Sequence, residues 1–190
     1  MSTFLLEIGT EELPADFAQS VISQLEVAVS RDLIEQRLSH GGIFVSTTPR
    51  RISLIVEDLA LVALDLEEEI KGPPAHIAFK DGKPTEASLG FARRLKIESN
   101  QLIVRDSAKG SFVYGKTTKK GEASEKLLKK LIPLWISVLQ GRRFMRWGNN
   151  DFRFSRPIRW IVSLIDDELI PISINNTDPS VKSTKLSRGH

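Results

Sequence analysis

An α+β fold, with a mixed or antiparallel sheet packed against two long helices, is what this sequence predicts. Three observations predict it. The chain opens as a strand, a long helix and two further strands; a second apolar-periodic stretch long enough for a helix returns at 122–140; and a strand pair follows at 158–174.

Each element has a physical reason. Residues 3–8 (TFLLEI) alternate with Phe4, Leu6 and Ile8 on one face. Pro14 opens a helix over about 14–40, because the first helical position has no use for an N–H, and Asp16 suits its positive end. Ala18, Val21, Leu25, Val29 and Leu33 make the buried stripe, and Gly41-Gly42 end the segment. Strands follow at 43–47 and 51–57. Residues 58–84 read as irregular, the acidic run Asp65–Glu69 as a solvated face and Gly72-Pro73-Pro74 as a rigid connector. A small helical insertion near 85–97 places Ala87, Phe91 and Leu95 on one side, and Gly90 within it points to close packing against a neighbour. Residues 102–106 and 111–117 predict a hairpin around 107–110. The second long helix, 122–140, turns Leu127, Leu128, Leu131, Leu134, Trp135, Val138 and Leu139 inward, with a kink expected at Pro133. A hairpin around Asp167 closes the pattern. The expected organisation is one α+β region over 1–190, with a small inserted subdomain at about 65–120. The run VKSTKLSRGH has the composition of a beginning, so the chain is expected to be the N-terminal part of a longer protein.

Composition narrows the function. In 190 residues, 41% are hydrophobic and 27% charged, ordinary values for a globular protein. Zero cysteines exclude disulfides and thiolate metal sites. No apolar run approaches a membrane span, and no basic leader precedes one, so a cytoplasmic location without membrane contact is expected. The net charge of +3 hides an asymmetry: residues 1–70 carry 4 Lys/Arg against 13 Asp/Glu, and residues 71–190 carry 23 against 11. Either the basic half meets a polyanion or the two halves neutralise each other.

Candidate chemistry is sparse. Gly110–Thr117 fits the phosphate-loop pattern G-x-x-x-x-G-K-[ST], but Phe112, Val113 and Tyr114 favour a strand, and Gly121 intervenes before any helix. His40, His76 and His190 are too dispersed for a zinc site, and no serine occupies a G-x-S-x-G turn. No catalytic residue is therefore assigned. The densest feature is GRRFMRWGNNDFRFSRPIRW at 141–160, with six arginines, five aromatics and one acid, Asp151. Parity places Phe152, Phe154, Ile158, Trp160, Val162 and Leu164 on one half-buried face. Arg156 falls on that face and needs a carboxylate; Glu7, Glu11 and Glu12 are the candidates. Arg142, Arg143, Arg146, Arg153 and Arg159 remain as candidate RNA-facing side chains.

The stretches FLLEIGTEELPADF (4–17), TPRR (48–51), KGPP (71–74), AFKDGKPTEASLGFARR (78–94), LQGRRFMRWG (139–148) and FSRPIRWIVSLID (154–166) together resemble the β subunit of the bacterial glycyl-tRNA synthetase. The resemblance implies an α2β2 class II ligase that joins glycine to tRNA(Gly) with ATP and Mg²⁺. It implies that the catalytic core, ATP and Mg²⁺ belong to the α subunit. The β subunit would serve tRNA recognition and assembly, with no cofactor held by this region. It also implies an α+β domain like that of the larger phenylalanyl-tRNA synthetase subunit. The alternative role is a structural, protein-docking module without RNA contact.

Overall fold

The computed structural model describes residues 1–80, 82–107, 110–147, 152–174 and 180–189. Asp151, His190 and the centre of the hairpin at 107–110 fall outside them. In chain order the elements are β1 (Ser2–Thr10), α1 (Ala15–Glu35), β2 (Ile43–Thr48), β3 (Arg51–Leu59), β4 (Leu66–Pro74), α2 (Ala75–Ala78), β5 (Phe79–Lys80), β6 (Lys83–Pro84), α3 (Glu86–Leu95), β7 (Ile103–Ser107), β8 (Gly110–Lys119), α4 (Ser124–Val138), β9 (Met145–Arg146), β10 (Arg153–Phe154), β11 (Ile158–Ile165), β12 (Glu168–Leu169), β13 (Ser173–Ile174) and β14 (Val181–Thr184). They form two compact units, one of residues 1–64 with 122–190 and one of residues 65–121.

The larger unit is built on a sheet of order β13-β14-β11-β1-β3-β2, with β12 added to β11. Its pairs are antiparallel except β11 with β14, so the sheet is mixed. The central strand β1 turns Phe4, Leu6 and Ile8 toward the helices, where each is fully buried. From α1 the same core receives Phe17, Val21, Leu25, Val29 and Leu33, and from α4 Leu127, Leu128, Leu131, Ile132, Trp135 and Ile136. The two helices are joined by polar bonds as well. Trp135 Nε1 donates to Asp32 at 2.9 Å, and Gln24 exchanges two bonds with the backbone of Gln140 at 2.8 and 3.0 Å. The latter satisfy the backbone N–H and C=O of Gln140, just beyond the end of α4.

Both helices are shorter than expected, and the buried face of α4 differs. Ile132 and Ile136 are buried, whereas Leu134 and Val138 are exposed. The helix runs through Pro133 without ending there. A larger correction concerns β11. Its core face carries Ile158, Ile161 and Ile165, not the even-numbered series. The cause is a bulge: Gly9 lies opposite Trp160 but Thr10 lies opposite Ile158, so Arg159 is an extra residue and the alternation reverses across it. Trp160 and Val162 are buried too, on the sheet face opposite the helices. Phe154 does enter the core, in contact with Phe17 and Phe144, and Phe152 stacks on it at 6.0 Å. The hairpin expected around Asp167 is present but short, pairing only Leu164 with Leu169 and Ile165 with Glu168; residues 173–174 pair with β14 instead.

The smaller unit has a sheet of order β4-β8-β7, with Phe91 and Leu95 of α3 packed with Ala78 and Val113. Glu67–Glu69 of the acidic run and the Gly-Pro-Pro step, read as irregular, lie within β4. As an edge strand, β4 tolerates both prolines and exposed charge. Gly72 allows close contact with Phe91, whose ring would be 2.5 Å from an added Cβ. Gly90 has no neighbour within 4 Å of such an atom, so close packing does not explain it.

Candidate nucleic-acid interface

The loop after β1 organises the charged end of the larger unit. Thr10 N–H donates to Arg50 O at 3.0 Å, Glu11 N–H to Pro157 O at 3.2 Å and Leu13 N–H to Pro49 O at 2.6 Å. Residues 10–13 are thereby fixed between the β2–β3 turn and the entry to β11. The Arg159 bulge points that side chain at the same loop, where its Nε donates to Glu11 Oε1 at 2.6 Å. Arg50 approaches the other Glu11 oxygen at 3.8 Å.

Among the described residues Arg156 finds no carboxylate. Its Nε donates to Glu12 O at 2.9 Å and its Nη1 to Ser155 O at 3.0 Å. The guanidinium is only half-buried, so backbone dipoles and solvent are enough to satisfy it. Glu7 belongs to a different group, on the sheet face opposite the helices. Although only 7% exposed, it accepts from Trp160 Nε1 and Ser187 Oγ at 2.6 Å each, and its second oxygen lies 3.4 Å from Arg51 Nε. Gly9 makes this arrangement possible, because Trp160 lies flat across it.

All five candidate arginines are exposed. Arg142 and Arg143 border a cleft with Pro14, Asp16, Phe17, Ser155 and Arg156, and Arg142 stands 4.0 Å from Asp16. Arg146 and Arg153 face each other across the β9–β10 ladder, a like-charge pair. Arg159 belongs instead to a neighbouring cleft with Arg50, Arg51 and Arg188. Arg50 and Arg156 border a third cleft around the 11–14 loop, so the basic side chains follow one rim. Sequence reasoning missed Arg50, Arg51 and Arg188. The TPRR stretch holds two of them, but only the sheet register brings them to Arg159.

The charge asymmetry along the chain disappears in the fold. The larger unit combines the acidic beginning with the basic end and carries 16 Lys/Arg against 16 Asp/Glu; the smaller carries 11 against 8. Positive character at the rim is therefore local.

Among the described residues no three His, Cys, Asp or Glu side chains come together as a metal site. Gly110–Thr117 lies inside β8, paired on both sides with β4 and β7, so its backbone does not form a phosphate cradle. No helix of the described residues is long and apolar enough to cross a membrane.

A family model described as glycyl-tRNA synthetase beta subunit matches residues 4–190. The chain belongs to that family. It is 47% identical over 190 residues to the glycine–tRNA ligase beta subunit of Acaryochloris marina, covering 100% of this chain and 27% of that protein. It is 41% identical over 188 residues to that of Desulfitobacterium hafniense, covering 98% and 27%, and 38% identical over 186 residues to that of Geobacter sulfurreducens, covering 97% and 26%. The chain thus spans about a quarter of the length of the relatives it matches.

Proposed function

We propose that this chain serves the attachment of glycine to tRNA(Gly) as part of the non-catalytic β component of an α2β2 ligase of class II. Its share is tRNA docking and subunit assembly. ATP and Mg²⁺ are used by the α subunit, and the work is cytoplasmic. Family membership carries this reading, and the exposed arginine rim supports the RNA part of it. Phosphate contacts of that kind release counterions, so affinity should fall with salt at a slope of about −0.7 to −0.9 per phosphate neutralised.

Two measurements test it. Glycylation of tRNA by the α chain should require the full-length β chain, and robust charging by α alone would refute that need. Charge reversal at Arg142, Arg143, Arg146 and Arg159 should weaken tRNA binding and flatten its salt dependence.

A structural role without RNA contact is the second reading. It is favoured by the balanced charge of the larger unit, by the hydrogen bond of Arg159 to Glu11 and by the 4.0 Å approach of Arg142 to Asp16. Unchanged tRNA affinity in the reversed variant, with the fold intact, would establish it.

A further inference from the structure

We infer that the cleft beside Trp160 is a seat for a phosphate group, formed by Arg50, Arg159 and Arg188 with the Thr48 hydroxyl, and that an RNA strand delivers the phosphate. The RNA source rests on the reading above; the seat itself rests on geometry. The cleft has a volume of about 320 Å³ and is bordered by Glu11, Thr48, Arg50, Arg51, Arg159, Trp160, Arg188 and Gly189.

The cleft is a constructed one. Its floor is Trp160, buried, lying on Gly9 and fixed by its bond to Glu7. Ser187 ties the incoming C-terminal segment to the same carboxylate, and Arg51 donates to the carbonyl of Arg188. These bonds position the Arg188 side chain over Trp160, 6.0 Å from the ring centre, with Arg51 at 5.9 Å. Two guanidinium groups therefore face the indole, leaving it poorly placed to stack a base. The arrangement selects an oxyanion.

Its donors are incompletely used. Arg50 Nε is buried and has no hydrogen-bond partner. The Nη2 of the same guanidinium lies 3.8 Å from Glu11 Oε2, too far for a hydrogen bond. Arg188 makes no ion pair among the described residues. Glu7 is committed to Arg51, Trp160 and Ser187, leaving Glu11 to serve both Arg50 and Arg159. Four guanidinium groups thus meet two carboxylates. That excess of two matches a terminal phosphate, which carries about −1.5 to −2 at neutral pH, while an internal phosphodiester would satisfy half of it. Planar guanidinium groups suit either, because they offer paired donors to phosphate oxygens.

Inorganic phosphate is the first probe, followed through tryptophan fluorescence, with W160F assigning the signal to the cleft. R50Q and R188Q should each weaken phosphate and tRNA binding about tenfold, equal to about 1.4 kcal/mol. E11Q should tighten both, since it releases Arg50 and Arg159. A merely structural ion pair would give no such gain. Comparing tRNA bearing a 5′-phosphate with tRNA bearing a 5′-hydroxyl identifies the source: a loss confined to the former marks a terminal phosphate, and equal losses mark an internal one. Wild-type phosphate and tRNA binding in both arginine variants, or weaker binding in E11Q, would overturn the seat while leaving tRNA docking elsewhere intact. Phosphate binding without tRNA binding would remove the RNA source and keep the seat.

Discussion

Replacing Gly9 with alanine tests whether Trp160 depends on the bare backbone of β1. An added Cβ would stand 1.9, 2.0 and 2.3 Å from three atoms of the indole ring, against ordinary contacts of 3.4 Å or more. The strand cannot retreat, because β1 is bonded to β11 on one side and β3 on the other. Trp160 must therefore move, straining its 2.6 Å bond to Glu7. Overpacking costs about 1–3 kcal/mol, and losing a hydrogen bond to a charged group about 1.5–3 kcal/mol. The alanine recovers roughly 0.5–1 kcal/mol of backbone entropy. The net expectation is a loss of about 1.5–5.5 kcal/mol, a large share of an ordinary stability. Urea titration monitored by circular dichroism should show it as a lower midpoint at unchanged slope. In a W160L background most of the penalty should disappear, since the two sites are in contact and their effects should couple. A stability change below about 0.5 kcal/mol in the wild-type background would refute the reasoning.

Other expectations follow from single contacts. G90A should stabilise the smaller unit by about 0.5–1 kcal/mol, because nothing meets the added Cβ and alanine is the better helix former; a thermal melt reads the sign. W135F should cost about 1–3 kcal/mol in denaturant titration through loss of the bond to Asp32 between the two long helices. The Asp65 carboxylate is held below its ordinary value by the Lys120 ammonium and then by the Gly121 N–H. A folded value below the unfolded one gives a contribution that is complete above about pH 3.9 and is lost as pH falls through the folded value. The protection factor of the Gly121 amide, its exchange rate divided into the intrinsic rate at the same pH, should therefore fall as Asp65 is protonated, and D65N should remove that fall.

Much of the fold was legible where one face of an element is wet. The stripe of α1 and the alternation of β1 follow their periods, and the structure places Phe4, Leu6, Ile8, Val21, Leu25, Val29 and Leu33 in the core. Legibility failed where both faces are buried, as in β11, because a continuous apolar run does not say which residues face the helices. The bulge at Arg159 compounds this by reversing parity without a glycine or proline at the position to announce it. For β4 the misleading signal was composition: acids and prolines oppose a central strand but not an edge one. The arginine rim was half legible. Arg142, Arg143 and Arg159 stand out locally, whereas Arg50 and Arg188 join them only through the strand register and the C-terminal segment.

The acidic beginning and basic end of the chain pose the same problem at larger scale. Read linearly, they suggest a polyanion-binding half. In the fold they enter one sheet, and the larger unit balances at 16 against 16, so it has no net charge with which to attract RNA over a distance. The tRNA docking proposed above would therefore rest on short-range placement. The rim differs from the rest of the unit in this respect, since Arg50 has an unmet donor and Arg188 no ion pair among the described residues, while Glu11 is shared between two arginines. That makes Glu11 the informative position. If the rim is a finished internal network, removing its carboxylate only loosens the 10–13 loop. If it holds arginines ready for phosphate, the same change makes RNA bind better, and a single substitution separates the two.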